Sequence, residues 1–143
     1  MELAFEQAQR AAARGEVPVG AVIVGPDGQV LAAAGNEVEA HADPTAHAEM
    51  LAIRAAARRV GSPRLEGCDV YVTLEPCAMC ATALSFARIR RVIYAAYDPK
   101  GGGVDHGARV FSQPTCHHRP EVVAGVQAER AERLLKTFFD GLR

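Results

Sequence analysis

Thr73-Leu74-Glu75-Pro76-Cys77-Ala78-Met79-Cys80 is the stretch on which the reading of this chain turns. It joins the end of an apolar, β-branched run to a proline and a Cys-x-x-Cys pair. Val70–Leu74 therefore reads as a strand. Proline is tolerated at a helix start, so Cys77 to about Ala87 reads as the helix that follows. Cysteines at i and i+3 lie on one side of a helix's first turn and can share a metal ion.

The other half of such a site stands upstream, in His47-Ala48-Glu49. These residues fall early in a helix predicted from Pro44-Thr45 to about Val60, with Met50, Ile53, Ala57 and Val60 as its apolar stripe and Arg54 and Arg58 on its polar one. His47 and Glu49 are about 200° apart around a helix. They converge on one point only beyond its N-terminal end. Two helix N-termini then face one metal, and their partial positive charge favours thiolates.

His47, Cys77 and Cys80 make three ligands, one short of a closed tetrahedral site, and a catalytic zinc keeps the fourth position for water. Zinc lowers the pKa of that water to about 7. Glu49 is not needed as a ligand and can carry the proton to a ring nitrogen and then to a departing amine. That division suits hydrolytic deamination of an amidine-like ring. A purely structural zinc module would need a fourth ligand, Cys68 or Cys116. Cys68 reads as a small core residue, and Cys116-His117-His118 is a weak candidate for a second metal site. Lys100-Gly101-Gly102-Gly103 lacks the Gly-Lys-Ser/Thr of a phosphate loop and reads as a flexible connection.

Outward from these motifs, residues 1–14 read as a helix stopped by Gly15. Val17–Val24 and Gln29–Gly35 read as a hairpin around Gly25-Pro26-Asp27-Gly28, and Asn36–Thr45 as a polar connection. Val92–Ala96 is a further strand, Asp98–Pro120 a long irregular stretch, and Glu121–Val126 a last strand. Gln127–Leu142 is a helix with Ala131, Leu134, Leu135, Phe138 and Leu142 on its buried face and with Glu129–Arg133 and Glu132–Lys136 pairs outside. Two β-α-β units imply parallel strands covered by helices on both sides. Length and patterning suit one domain spanning 1–143.

At 49% hydrophobic and 23% charged, with a formal net charge of -1, the chain is neither disordered nor drawn in bulk to nucleic acid or membranes. Its arginines cluster at 54–64 and 88–91, which reads as solvated helix faces or, alternatively, as a local phosphate-binding patch. Met1-Glu2-Leu3-Ala4 is not a secretory leader, no apolar run reaches ~20 residues, and four cysteines with two of them three apart suit a reducing compartment. The expectation is a cytoplasmic protein without membrane contact.

The His-x-Glu and Pro-Cys-x-x-Cys motifs are the signature of the zinc deaminases. Together with Glu16–Val22, Gly35-Asn36, Asp43–Glu49, Tyr71–Cys80 and Arg88–Val92, they make nearly the whole chain resemble the bacterial tRNA-specific adenosine deaminases. The resemblance implies a three-layer α/β/α sandwich around a five-stranded mixed sheet. It also implies a homodimer with one zinc per subunit, converting the wobble adenosine of a tRNA anticodon stem-loop to inosine. It places the zinc ligands on His47, Cys77 and Cys80, and the proton shuttle on Glu49. A base contact falls on Asn36, the pocket wall on Val17, Pro18 and Ala46, and a ribose contact on Asp98. A contact surface between copies is expected over Cys77–Arg91, with Phe86 and Ile89. The resemblance weakens over Gly101–Arg119. The guanine deaminases share Pro44–Glu49 and the cysteine motif, but commonly end the preceding strand in Ser-Cys where this chain has Thr73-Leu74.

Overall fold

The computed structural model describes residues 1–143 and builds one sheet from β1 (Gly20–Val24), β2 (Val30–Gly35), β3 (Asp69–Leu74), β4 (Arg91–Ala96) and β5 (Glu121–Val123). The strand order is β2-β1-β3-β4-β5. β1 runs antiparallel to both its neighbours, whereas β3, β4 and β5 are parallel, so the sheet is mixed. Helices α1 (Glu2–Ala13) and α5 (Ala128–Gly141) cover one face, and α3 (Ala48–Val60) and α4 (Ala78–Phe86) the other. The one-turn helix α2 (Val38–His41) lies within the connection from β2 to α3.

Small residues set how closely these layers approach. Gly20 and Gly35 are paired across β1 and β2, and both face α1. A Cβ on Gly20 would overlap the Ala4 carbonyl and stand 2.7 Å from the Ala8 nitrogen. On the opposite face, α3 meets the sheet through Ala48, Ala52 and Ala56. The main core lies between that helix, α4 and the strands, and includes Ile23, Val70, Val72, Leu84, Ile89 and Tyr94. Phe5, Ala95, Ala96 and Ala131 form a smaller cluster under α1 and α5. Arg130 stacks over Phe5 and pairs with Glu2, tying these two helices together.

Several boundaries differ from the sequence reading, each for a local reason. β1 begins at Gly20 and not at Val17, because Pro18 has no N–H and the Val19 N–H turns back to the Val17 carbonyl. α3 begins at Ala48, because Asp43 Oδ1 accepts from both the Thr45 N–H and its hydroxyl and holds 43–47 as a turn. The face of α3 is also rotated from the expected stripe. Val60 is 45% exposed and Met50, Ile53 and Ala57 only half-buried, because alanines permit the close approach that bulkier side chains would block.

In α5, Ala131 is buried but Leu142 is 69% exposed at the helix end. The ion pairs there are Lys136–Asp140 and Arg130–Glu2, in place of the two expected pairs. Ile89 is fully buried and unavailable to another chain, while Phe86 is 75% exposed. Arg90 and Arg91 are not a free basic patch, since both grip Asp69. β4 reaches β5 through residues 97–120, whose regular part is a single 3-10 turn at Val110–Ser112.

The corrected face of α3 gives a test. Ala52→Leu should destabilise the fold by about 1–3 kcal/mol through overpacking. Val60→Ser should stay within about 0.5 kcal/mol of the parent. Urea unfolding of both variants checks this, and the reverse order would restore the original stripe.

Candidate active site

His47 and Cys77 occupy the same position in two different helices. Each is the N-cap, of α3 and α4 respectively, each has extended backbone angles, and neither side chain caps its own helix. The two side chains turn toward each other instead. His47 Nδ1 stands 3.6 Å from Cys77 Sγ and 3.5 Å from Cys80 Sγ. All three ligand atoms lie within 4.8 Å of one another, and they form the cluster in the chain able to hold a metal.

The spacing fits zinc. Tetrahedral bonds of about 2.3 Å to sulfur and 2.0–2.1 Å to nitrogen put N and S roughly 3.6 Å apart. The protonation of the donors fits as well. The neighbouring Cys80 thiol and His47 hold the Cys77 thiol down to about 4. Cys80 is raised, because its proton is shared with Cys77 and because it is buried. His47 is raised by its hydrogen bond to Cys77. The protons crowded among these three donors are the ones that a cation would displace.

Glu49 sits in the first turn of α3, nearly inaccessible to solvent. Burial pushes its carboxyl up to about 7, and the charge on Cys77 adds to that. A cation on the three donors would draw it back down. Glu49 is thus an ionisable carboxyl beside the three donors and outside their set.

These groups open into a cleft of about 480 Å³. Val17, Asn36 and Asp98 line it, with His47, Glu49 and Cys77. Pro18 and Ala46 are buried and do not reach its surface, so they support the wall and do not form it. Asn36 Oδ1 accepts the Ala48 N–H at 2.8 Å, which caps α3 and leaves the amide –NH2 as a donor. Asp98 Oδ1 accepts from the Lys100 and Gly101 N–H groups, and Oδ2 keeps no partner.

Sequence reasoning missed three contributors. Glu16 is buried and accepts the Glu39 and Ala40 N–H groups, which positions α2 at the rim. Glu75 is buried and gathers the loop after β4. Both stand beside apolar runs, and a carboxylate in such a place must find donors. Phe139, which is not among the residues of the expected buried face of α5, lines the cleft beside Phe138. The Cys116-His117-His118 run holds no metal cluster. Cys116 Sγ lies 3.5 Å from Ser85 Oγ, and His118 Nε2 bonds the Ile89 carbonyl.

A three-donor metal site at the carboxyl ends of parallel strands, with a buried carboxyl alongside, belongs to the class of hydrolytic metalloenzymes. Residues 1–96 match the cytidine and deoxycytidylate deaminase zinc-binding region, and the chain belongs to that family. It is 55% identical over 139 residues to a tRNA-specific adenosine deaminase of Agrobacterium fabrum, covering 97% of this chain and 91% of that one. A solved structure from a study of A-to-I editing by tRNA:A34 deaminases at the wobble position superposes with a TM-score of 0.92. It is 55% identical, with 94% and 97% of the two chains covered. A guanine deaminase from Nitrosomonas europaea, 21% identical with a TM-score of 0.82 over 96% of this chain and 81% of that one, shares the fold.

Cys77→Ala or Cys80→Ala should leave purified protein almost free of zinc by elemental analysis. Cys116→Ala should carry as much as the parent. Zinc lost with Cys116 would mean that the ligand set is wrong.

Proposed function

We propose that the chain deaminates the wobble adenosine of a tRNA anticodon stem-loop to inosine, adding water and releasing ammonia. The observation that carries this reading is Glu49, a buried carboxyl placed beside His47, Cys77 and Cys80, outside their donor set and lining the same cleft. Likeness to tRNA-specific adenosine deaminases over nearly the full chain supports the choice of substrate. Residues 1–143 act as one deaminase domain, working in the cytoplasm.

His47, Cys77 and Cys80 hold one zinc per chain. When bound there, zinc supplies the Lewis acidity that makes water a nucleophile at neutral pH. Glu49 takes one proton of the attacking water to a ring nitrogen, where it stays, and then carries the second, from the added hydroxyl, to the amine, which leaves as ammonia as the carbonyl forms. The Asn36 –NH2 donates to an acceptor on the base, and Val17 packs against the ring, backed by Pro18 and Ala46. The free Oδ2 of Asp98 accepts from the ribose 2′-hydroxyl, a group that free bases and DNA lack. A loop base is already unpaired, so a chain of net charge -1 can take it without a broad basic face.

The active form is a homodimer. An apolar recess lined by Met50, Ala78, Met79, Thr82, Ala83 and the exposed Phe86 suits a second copy.

Two measurements test these statements. With equal enzyme, a wobble-A stem-loop should accumulate inosine while free guanine releases little ammonia. Fast release from guanine with an unedited stem-loop would make the chain a guanine deaminase on the same chemistry. Sedimentation at micromolar concentration should show a dimer, and a single monomeric species would remove it.

A further inference from the structure

Glu75 carries more buried hydrogen bonding than any step above uses. Its side chain is fully buried immediately before Pro76 and Cys77. Oε1 accepts the Asp98 N–H at 3.0 Å and stands 2.8 Å from His106 Nδ1. Oε2 accepts the N–H groups of Val104, Asp105 and His106 at 3.0–3.2 Å. One carboxylate thus ties down both ends of the 98–106 loop, the loop that brings Asp98 and Gly101 into the cleft. Its donors hold it ionised against its burial. An ionised acceptor in turn fixes the His106 proton on Nδ1.

The loop is cut to fit this carboxylate. A Cβ on Gly102 would strike Glu75 Oε2, and one on Gly103 would stand 2.5 Å from the Ala78 nitrogen at the start of α4. The Gly103 N–H also donates to the Pro76 carbonyl at 2.8 Å. Two consecutive glycines let the loop backbone lie directly against the turn that presents Cys77.

We propose that Glu75 is the positioning residue for substrate, acting through Asp98: it sets where the Asp98 carboxylate stands relative to the metal-ligand turn. The substrate readout rests on the function proposed above, whereas the placement of the loop does not.

Glu75→Gln tests this with almost no change of shape. A glutamine has one acceptor oxygen, so its –NH2 must face N–H donors on one side or the other. The less costly orientation keeps the three bonds of Oε2, lets the histidine switch tautomer, and turns the –NH2 against the Asp98 N–H. Asp98 is then the group set free.

In the zinc-loaded, full-length protein, amide hydrogen exchange at Asp98 should accelerate about tenfold or more, the size of a lost hydrogen bond to a charge. Zinc content and exchange in α3 and α4 should stay as in the parent. KM for the stem-loop should rise about tenfold, with kcat changing less. The double variant Glu75→Gln/Asp98→Asn should raise KM no further than Asp98→Asn alone. Should Glu75→Gln fail to fold, Glu75→Asp, which keeps the charge and withdraws it by one methylene from the Asp98 N–H, should show the same coupling to Asp98.

Unchanged exchange at Asp98, or increments in KM that add, would overturn the proposal. Loss of zinc alongside the KM effect would also overturn it, because Glu75 would then serve the metal site. A parent protein that leaves the stem-loop unedited would sink the substrate reading alone, with the exchange result still deciding on Glu75.

Discussion

Two helix N-termini meet at three atoms, and most of the molecule serves to keep them there. α3 and α4 begin with His47 and Cys77, whose side chains leave their own helices uncapped and face each other with Cys80. The positive ends of both helices favour a thiolate, and Cys77 is held well below the ordinary thiol range. Distant parts of the chain fix this meeting. The Asp43–Thr45 turn and the Asn36 amide stop α3 at Ala48, and Pro76 stops the strand before α4. The alanine face of α3 then seats it close to the sheet.

Three buried glutamates show how environment divides one chemical group into different tasks. Glu16 and Glu75 each receive backbone N–H groups and act as anchors for segments at the cleft. Glu75 is held below the usual carboxylate range by such donors. Glu49 is buried in the first turn of α3, and the same desolvation moves it up to about 7. Where backbone donors outweigh burial the carboxylate holds structure, and where burial outweighs them its pKa rises.

Much of this was legible in the sequence because the decisive signals are local. The strand at Val70–Leu74, the proline, and the cysteines at i and i+3 define β3, the start of α4 and two donors without long-range information. The His47–Glu49 spacing forced a site beyond a helix end, which is where the geometry puts it. What was hidden depends on partners far along the chain. The buried face of α3 could not be told from its shoulders, because alanines carry little hydrophobic signal and are chosen for closeness. Glu16 and Glu75 find their donors 23 to 31 residues away, and no pattern announces such pairings. Ile89 reads as exposed between its arginines, yet it is buried, where the left-handed backbone at Arg88 redirects the chain.

The account claims that Glu49 moves protons beside a metal it does not ligate. Glu49→Ala, assayed for bound zinc and for inosine formed on a wobble-A stem-loop, tests that claim most directly. Zinc per chain should equal the parent's, while turnover falls roughly a hundredfold to ten-thousandfold. Turnover retained in zinc-loaded protein, or zinc lost from a folded one, would contradict the account.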